Sequence, residues 1–156
     1  MRIDFDTSVG DETYTMLKNS LGFSRSYVEI LAQECIGDAP ASEDGSSAAE
    51  QQRKTLRVFF PDAGSAALAE RDWRDPGKAR VLPPSIKLAN VARDKPQETD
   101  AGCVILCPRN SEADDVVRLV REVAALDQFC VLINPELVNM GTTGYGLAGR
   151  RMREDV

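Results

Sequence analysis

Three short apolar runs, each followed by a proline and a polar residue, constrain the fold of this chain more than any other feature. The runs cover residues 58–60, 104–107 and 131–134, and they precede Pro61-Asp62, Pro108-Arg109 and Pro135-Glu136. Short continuous runs of β-branched and aromatic residues are typical of strands buried on both faces, as in a parallel sheet. Because proline has no backbone N–H, we expect ladder pairing to stop where each strand ends. The three proline corners should then share one edge of the sheet, the edge where open α/β sheets bind ligands.

Two helical patterns connect these strands. Residues 64–73 follow the first corner, and residues 111–126 follow the second with apolar side chains at helical spacing. Ser111 and Asp114 predict a variant capping box at the start of the second helix. The alternation of strand and helix predicts a three-layer α/β domain with a mostly parallel sheet and Rossmann-like crossovers.

The remaining segments are less regular. Residues 11–22 predict a short amphipathic helix, and residues 27–31 predict a first strand. Residues 37–53 are small, polar and acidic, and they predict a mobile segment within a single domain that covers residues 1–156. Residues 76–100 contain four prolines, so we expect most of that stretch to be irregular.

Charge and residue counts exclude several classes of function. The 156 residues carry a formal net charge of −6, which argues against general nucleic-acid binding because that relies on basic surface. The chain has no histidine, which removes Ser-His-Asp triads, histidine bases and histidine metal ligands. No apolar run approaches the ~18 residues of a membrane span, and the acidic N-terminus is unlike a signal or transit peptide. The four cysteines form no CxxC motif, so we expect reduced, buried thiols and no metal site at Cys35, Cys103, Cys107 and Cys130.

The C-terminal region contains a glycine motif and a basic cluster. Residues 144–149 match GxGxxG, but they begin ten residues after Asn134 instead of directly after a strand. The chain also ends before the acidic residue that this fingerprint needs roughly twenty positions further on, so we expect no functional dinucleotide fingerprint and no cofactor. Arg150, Arg151 and Arg153 are a candidate partner contact, although such a cluster is usually a solvated face.

Five polar residues at the proline corners have two interpretations. Asp62, Arg109, Asn110, Asn134 and Glu136 are candidates for a ligand-binding edge. In a small-molecule or phosphate-ligand enzyme or carrier, Arg109 would clamp an anion and Asp62 would act as an acid or base. In the alternative, these residues only cap helices and shape turns, and we favour that interpretation.

Two sequence blocks also resemble a known family. They are RVFFPDAGSAALA at residues 57–69 with RDW at 71–73, and VLINPELV at 131–138 with GYGLAGR at 144–150. The family they resemble is a domain of unknown function found in cyanobacteria, algae and plant plastids. It includes the low-PSII-accumulation proteins and the C-terminal extension of a chloroplast adenylate kinase. Members continue into a further helix and strands where this chain ends, so we expect a shortened relative or part of a longer protein.

The resemblance implies a plastid location and a link to photosystem accumulation, and it supplies no catalytic residues. We therefore expect a non-catalytic peripheral subunit or assembly factor of a photosystem complex, on the stromal side of the thylakoid membrane. Its partners would be photosystem core or antenna proteins, and it would reach the membrane only through them. An acidic chain has no general attraction to anionic lipid headgroups, which is consistent with attachment through protein contacts.

Overall fold

The computed structural model describes residues 1–4, 13–36, 55–77 and 81–137, with no account of the side chains of residues 13–16. Strands and helices alternate along this part of the chain. In chain order they are β1 (Arg2–Ile3), α1 (Thr13–Ile36), β2 (Thr55–Phe60), α2 (Ala63–Trp73), β3 (Ile86–Asn90), β4 (Asp100–Leu106), a 3₁₀ turn (Asn110–Glu112), α3 (Ala113–Ala125) and β5 (Phe129–Ile133).

The strands of the described residues form one five-stranded, all-parallel sheet in the order β1-β5-β4-β2-β3. The three predicted strands are therefore central neighbours, and Val58, Val104 and Val131 lie in one row across them. This confirms the predicted α/β class and parallel sheet. Since the strands are parallel, the three proline corners share the carboxyl edge of the sheet.

Helices cover both faces of the sheet, which gives three layers. Helices α1 and α2 pack with the even-numbered side chains of β2 and β4, including Val58 and Val104. Helix α3 packs on the opposite face, against residues such as Phe59 and Ile105. The apolar runs that predicted the three strands supply six buried core side chains: Val58, Phe60, Val104, Leu106, Val131 and Ile133.

The strand predicted at residues 27–31 is wrong, because the helix predicted at residues 11–22 continues through this segment as a single helix over residues 13–36. The buried side of α1 includes Leu17, Ser24, Val28 and Ala32, at spacings of three or four residues or their multiples. A serine within that stripe interrupts the apolar pattern. Gly22, the last residue of the helix predicted at residues 11–22, lies within α1, and a Cβ added there would face open space.

The stretch from residue 76 to 100 is more ordered than predicted. It contains the edge strand β3, which pairs with β2 over five residues. Lys87 is exposed while Ile86 is buried, so the strand lacks the continuous apolar run that marks the central strands. The Arg74 side chain donates a hydrogen bond to the carbonyl of Ile86 at 2.8 Å, which ties the end of α2 to this strand.

Helix α3 begins differently from the prediction. The Glu112 carboxylate accepts a hydrogen bond from the backbone N–H of Arg109 at 2.9 Å. It also accepts one from the Ser111 hydroxyl at 2.5 Å, so the predicted pairing of Ser111 with Asp114 is wrong. The two groups meet Glu112 because a 3₁₀ turn precedes the α-helix. The buried stripe is formed by Ala113, Val116, Leu119 and Val123.

Gly102 gives a testable feature of the sheet. It pairs with Phe129 across β4 and β5, and an added Cβ would lie 2.6 Å from three atoms of that ring. We expect Gly102→Ala to lower the free energy of unfolding by roughly 1–3 kcal/mol, because the ring must move out of a packed position. Urea denaturation measures this change. Gly22→Ala is the matched control, and it should be neutral or stabilising by up to ~1 kcal/mol; equal losses in both variants would contradict this packing.

Candidate functional site

The carboxyl edge of the sheet contains a topological switch point between β2 and β4. These strands are neighbours, yet the helix that follows β2 packs on one face and the helix that follows β4 packs on the other. Ligands of open α/β sheets bind in the crevice that such a divergence opens. Asp62 and Arg109 follow these two strands, so the structure brings them to the predicted edge.

Asp62 caps helix α2. Its carboxylate accepts hydrogen bonds from the backbone N–H of Ser65 at 2.8 Å and from the Ser65 hydroxyl at 2.6 Å. Partial burial acts to raise the pKa of Asp62, but hydrogen bonds from Ser65 and Gly64 outweigh it and hold the pKa below its ordinary value. A carboxylate kept ionised as a helix cap is poorly suited to donate a proton near neutral pH.

The corners after β4 and β5 have the same backbone geometry. Cys107 and Asn134 follow the two strands directly, precede proline, and adopt positive φ values of 44° and 46°. The N–H of Cys107 donates a hydrogen bond to the carbonyl of Ile133 at 2.7 Å, so β4 and β5 stay paired up to the corner. The left-handed backbone conformation of this residue, more than the proline after it, therefore ends each strand.

Pairing resumes beyond the two prolines. The N–H of Glu136 donates to the carbonyl of Pro108 at 2.8 Å, and Arg109 pairs with Glu136 in a parallel bridge. The ladder between β4 and β5 therefore stops at the corner, as expected, and a single bridge beyond the prolines keeps the same register. Proline removes one donor, and the chain regains the register one residue later.

Two of the predicted edge residues bind other parts of the fold through their side chains. The amide of Asn110 donates to the carbonyl of Leu137 at 2.9 Å. The amide of Asn134, which is buried, donates to the hydroxyl of Ser20 on α1 at 3.3 Å. With Asp62 these make three of the five candidates that serve the fold directly, which favours the structural interpretation of the corners.

A buried polar cluster under α1 was not predicted. Ser20, Cys107 and Asn134 meet where α1 crosses the carboxyl ends of β4 and β5. Burial raises the pKa of the Cys107 thiol, and a hydrogen bond with Ser20 only partly offsets this effect. The hydroxyl of Ser24, one turn along α1, is buried without a hydrogen-bond partner in the described part of the chain. The sequence signal was the pair of serines four residues apart within the apolar pattern of residues 17–32.

The opposite, amino edge of the sheet holds a second feature that sequence reasoning missed. Asp100 is fully buried and accepts hydrogen bonds from the Thr55 hydroxyl at 2.5 Å and from Arg57 Nε at 2.7 Å. The backbone N–H of Gln97 donates to the same carboxylate at 2.8 Å. This network joins β2 to the start of β4 and brings together four residues that are spread over 45 positions of the chain.

A cleft of about 830 Å³ adjoins this network. Its lining includes the cationic side chains of Arg57, Arg74 and Lys87 and the carboxylate of Glu70. Arg57 already pairs with Asp100, and Arg74 pairs with Glu70. Two of the three cations therefore face carboxylates, and the cleft does not concentrate positive charge for an anionic ligand.

The cysteines occupy three different environments. Cys103 and Cys107 are buried, Cys130 is half-buried and Cys35 is exposed at the end of α1. The expectation of four buried thiols is therefore wrong for Cys35. Cys103 and Cys107 lie on opposite faces of the sheet, in separate core clusters.

Three sequence features lie outside the described residues. They are the acidic segment at 37–53, the GxGxxG match at 144–149 and the basic cluster of Arg150, Arg151 and Arg153. What was expected of these three features remains a prediction from the sequence.

Comparison with known proteins places the chain in a family. A family model described as a domain of unknown function, DUF1995, matches residues 2–156. The chain belongs to the DUF1995 family. No curated protein and no solved structure matches this DUF1995 chain. In the described part of the chain, no helix is both long and apolar enough to cross a membrane.

Proposed function

We propose that this DUF1995 chain is a non-catalytic peripheral subunit or assembly factor of a plastid photosystem complex. It attaches on the stromal side of the thylakoid membrane through contacts with core or antenna proteins. The resemblance of residues 57–73 and 131–150 to plastid proteins of photosystem accumulation supplies the setting for this proposal. The matching family is described as a domain of unknown function, so no reaction is assigned to it that would conflict with this proposal.

One observation carries the non-catalytic part of the proposal. The polar side chains at the carboxyl edge hold helix ends and loops together, as Asp62, Asn110 and Asn134 show. A catalytic acid, base or anion clamp instead needs a side chain directed at substrate in a defined pose. Side chains that are already held by the fold favour a scaffold over a reaction centre.

The outer face of α1 is the surface we assign to the partner. Phe23 is 45% exposed and Ile30 is 59% exposed, and their spacing of seven residues puts them on the same side of the helix. Tyr27 lies between them, with its ring stacked on Phe23 at 5.9 Å between centroids. Exposed apolar stripes that include aromatic residues are typical of contact surfaces between proteins. Arg150, Arg151 and Arg153 remain a second candidate contact from the sequence.

Replacing both Phe23 and Ile30 by alanine should weaken co-purification with chlorophyll-binding complexes from solubilised thylakoids by about thirtyfold. Truncated apolar anchors at the centre of an interface cost roughly 1 kcal/mol or more each. Both side chains are largely exposed, so thermal stability should change little. Quantitative immunoblots of the bound fraction measure the effect, and triple replacement of the three arginines by alanine is tested in parallel.

Leu68→Ala is the matched control, because Leu68 is 43% exposed on a different helix, α2. It should bind as the wild type does. Equal recovery of the α1 double variant and the wild type would exclude the α1 stripe. If the arginine variant alone loses binding, the contact lies in the C-terminal region.

The switch point supports a second candidate function. Asp62 and Arg109 follow neighbouring strands whose chains diverge, which is where a small anionic or phosphorylated ligand would bind. A thermal-shift screen against nucleotides and phosphosugars tests this alternative, because a ligand that binds the folded state raises its melting temperature. A large shift with one compound, together with turnover that Asp62→Asn removes, would replace the assembly function by an enzyme or carrier.

A further inference from the structure

Two cysteines face each other across the centre of the sheet. Cys103 of β4 and Cys130 of β5 are direct register partners, and their sulfur atoms are 3.6 Å apart. Both side chains point to the face covered by α3, where Cys103 is packed among buried residues and Cys130 lies at the margin of the cluster. Neither thiol takes part in the partner surface proposed above.

The backbone already has the separation that a disulfide needs. Neighbouring strands lie roughly 4.8 Å apart, and disulfides join residues whose Cα atoms are usually about 4.4–6.8 Å apart. The sulfur atoms must approach each other by about 1.5 Å to reach the bonded distance of about 2.05 Å, which side-chain rotation and small strand shifts can supply. No other element has to move.

We propose that Cys103 and Cys130 form a reversible disulfide, installed by a hydroperoxide and removed by a dithiol. In the first step the Cys130 thiol loses its proton, the thiolate attacks the peroxide oxygen and the O–O bond breaks. Cys130 sulfenic acid forms, and the leaving oxygen takes up the proton to become water or, from an alkyl hydroperoxide, an alcohol. In the second step the sulfur of Cys103 attacks the sulfenic sulfur, the S–S bond forms, and the hydroxyl leaves as a second water. Two thiols thus lose two electrons and two protons, and one hydroperoxide is reduced to two waters or to water and an alcohol.

The order of the two steps follows from exposure and from the hydrogen bond between the thiols. Cys130 is only half-buried, whereas Cys103 is fully buried, so a small oxidant reaches Cys130 more readily. The thiol of Cys103 donates its hydrogen to the sulfur of Cys130. This hydrogen bond lowers the pKa of Cys130 and raises that of Cys103, so Cys130 is the first nucleophile and Cys103 resolves the sulfenic acid.

The disulfide would staple β4 to β5 and close the loop that carries α3. Closing a loop of that length restricts the unfolded chain, and the melting temperature of the oxidised protein should rise by about 5–10 °C. The intact mass should fall by two hydrogen atoms, and two of the four thiols should become resistant to alkylation.

Peptide mapping of the full-length chain tests the pairing. Trypsin leaves Cys103 and Cys107 together in residues 94–109 and leaves Cys130 in residues 122–150. After treatment with hydrogen peroxide, we expect these two peptides to be joined, with fragmentation between the two cysteines placing the bond on Cys103. A reducing dithiol should restore both peptides and the original melting temperature.

Variants make the result specific to this pair. Cys35→Ser serves as the background, because the exposed thiol of Cys35 can join two chains. Cys107→Ala should keep the linked peptides, since Cys107 lies on the other face of the sheet, and Cys103→Ser should lose them. The proposal is overturned if peroxide gives only chain-to-chain disulfides, sulfinic acid at Cys130 without a link, or a bond from Cys107. Fragmentation of the linked peptides from the wild-type protein shows which cysteines are joined, even if a variant fails to fold.

Discussion

Val104→Asp is expected to unfold the domain. Val104 is fully buried in β4, the central strand, with Val58 and Val131 beside it in the same row. A lone carboxylate in that position costs several kcal/mol or more, which is comparable to the whole stability of about 5–15 kcal/mol of a small domain. The variant should therefore accumulate as unfolded or aggregated chain.

Circular dichroism and a thermal melt measure this loss, with Val81→Asp as the matched control. Val81 is 50% exposed, so the same substitution there should change stability by no more than about 0.5 kcal/mol. If Val104→Asp melts as the wild type does, the assignment of the central strand is wrong.

Asp100→Ala is expected to lower the free energy of unfolding by roughly 3–5 kcal/mol. The substitution leaves the Arg57 guanidinium, which is only 12% exposed, without its carboxylate. It also removes the acceptor of the Thr55 hydroxyl and of the Gln97 N–H. Urea denaturation monitored by the fluorescence of Trp73 measures the change, since this tryptophan is buried in the core.

Two further variants distinguish the loss of this buried ion pair from the loss of an exposed one. Arg71→Ala removes an ion pair whose side chains are 73% and 50% exposed, and it should cost less than about 1 kcal/mol. The double variant Arg57→Met and Asp100→Leu should recover much of the loss, because no buried charge then remains unpaired. A loss of less than 1 kcal/mol in Asp100→Ala would contradict a structural role for the buried ion pair.

The central strands could be predicted from the sequence because their signal is local. Strands β2, β4 and β5 lie inside the sheet, and each contains a continuous apolar run, at residues 58–60, 101–106 and 129–133. The edge strand β3 carries an exposed lysine at Lys87, and β1 has only two residues. Such strands are specified by the neighbour they pair with, and that neighbour is distant in the sequence.

The second half of helix α1 was missed for a different reason. The buried side of α1 contains Ser20 and Ser24, and these two serines interrupt its apolar period. The remaining run from Tyr27 to Leu31 then has the composition of a strand, although its tertiary partners make it helical.

The candidate site was predicted in location but not in chemistry. The carboxyl ends of parallel strands lie at the same edge of a sheet. The strand predictions were therefore enough to place Asp62 and Arg109 together at that edge. The helix cap at Asp62 is local, because its carboxylate accepts hydrogen bonds from Ser65, three residues on. The hydrogen bond from Asn110 to Leu137 depends on where a later loop returns, and this information is not local. The pairing of Cys103 with Cys130 likewise needs the register between β4 and β5, which the sequence alone does not supply.

Native gel electrophoresis of gently solubilised thylakoids tests the proposed function most directly. The wild-type DUF1995 chain should co-migrate with a chlorophyll-binding complex and shift with that complex when it is dissociated by stronger detergent. A chain that always runs at the position of the free protein, while the photosystem complexes beside it stay intact, would contradict the proposed attachment.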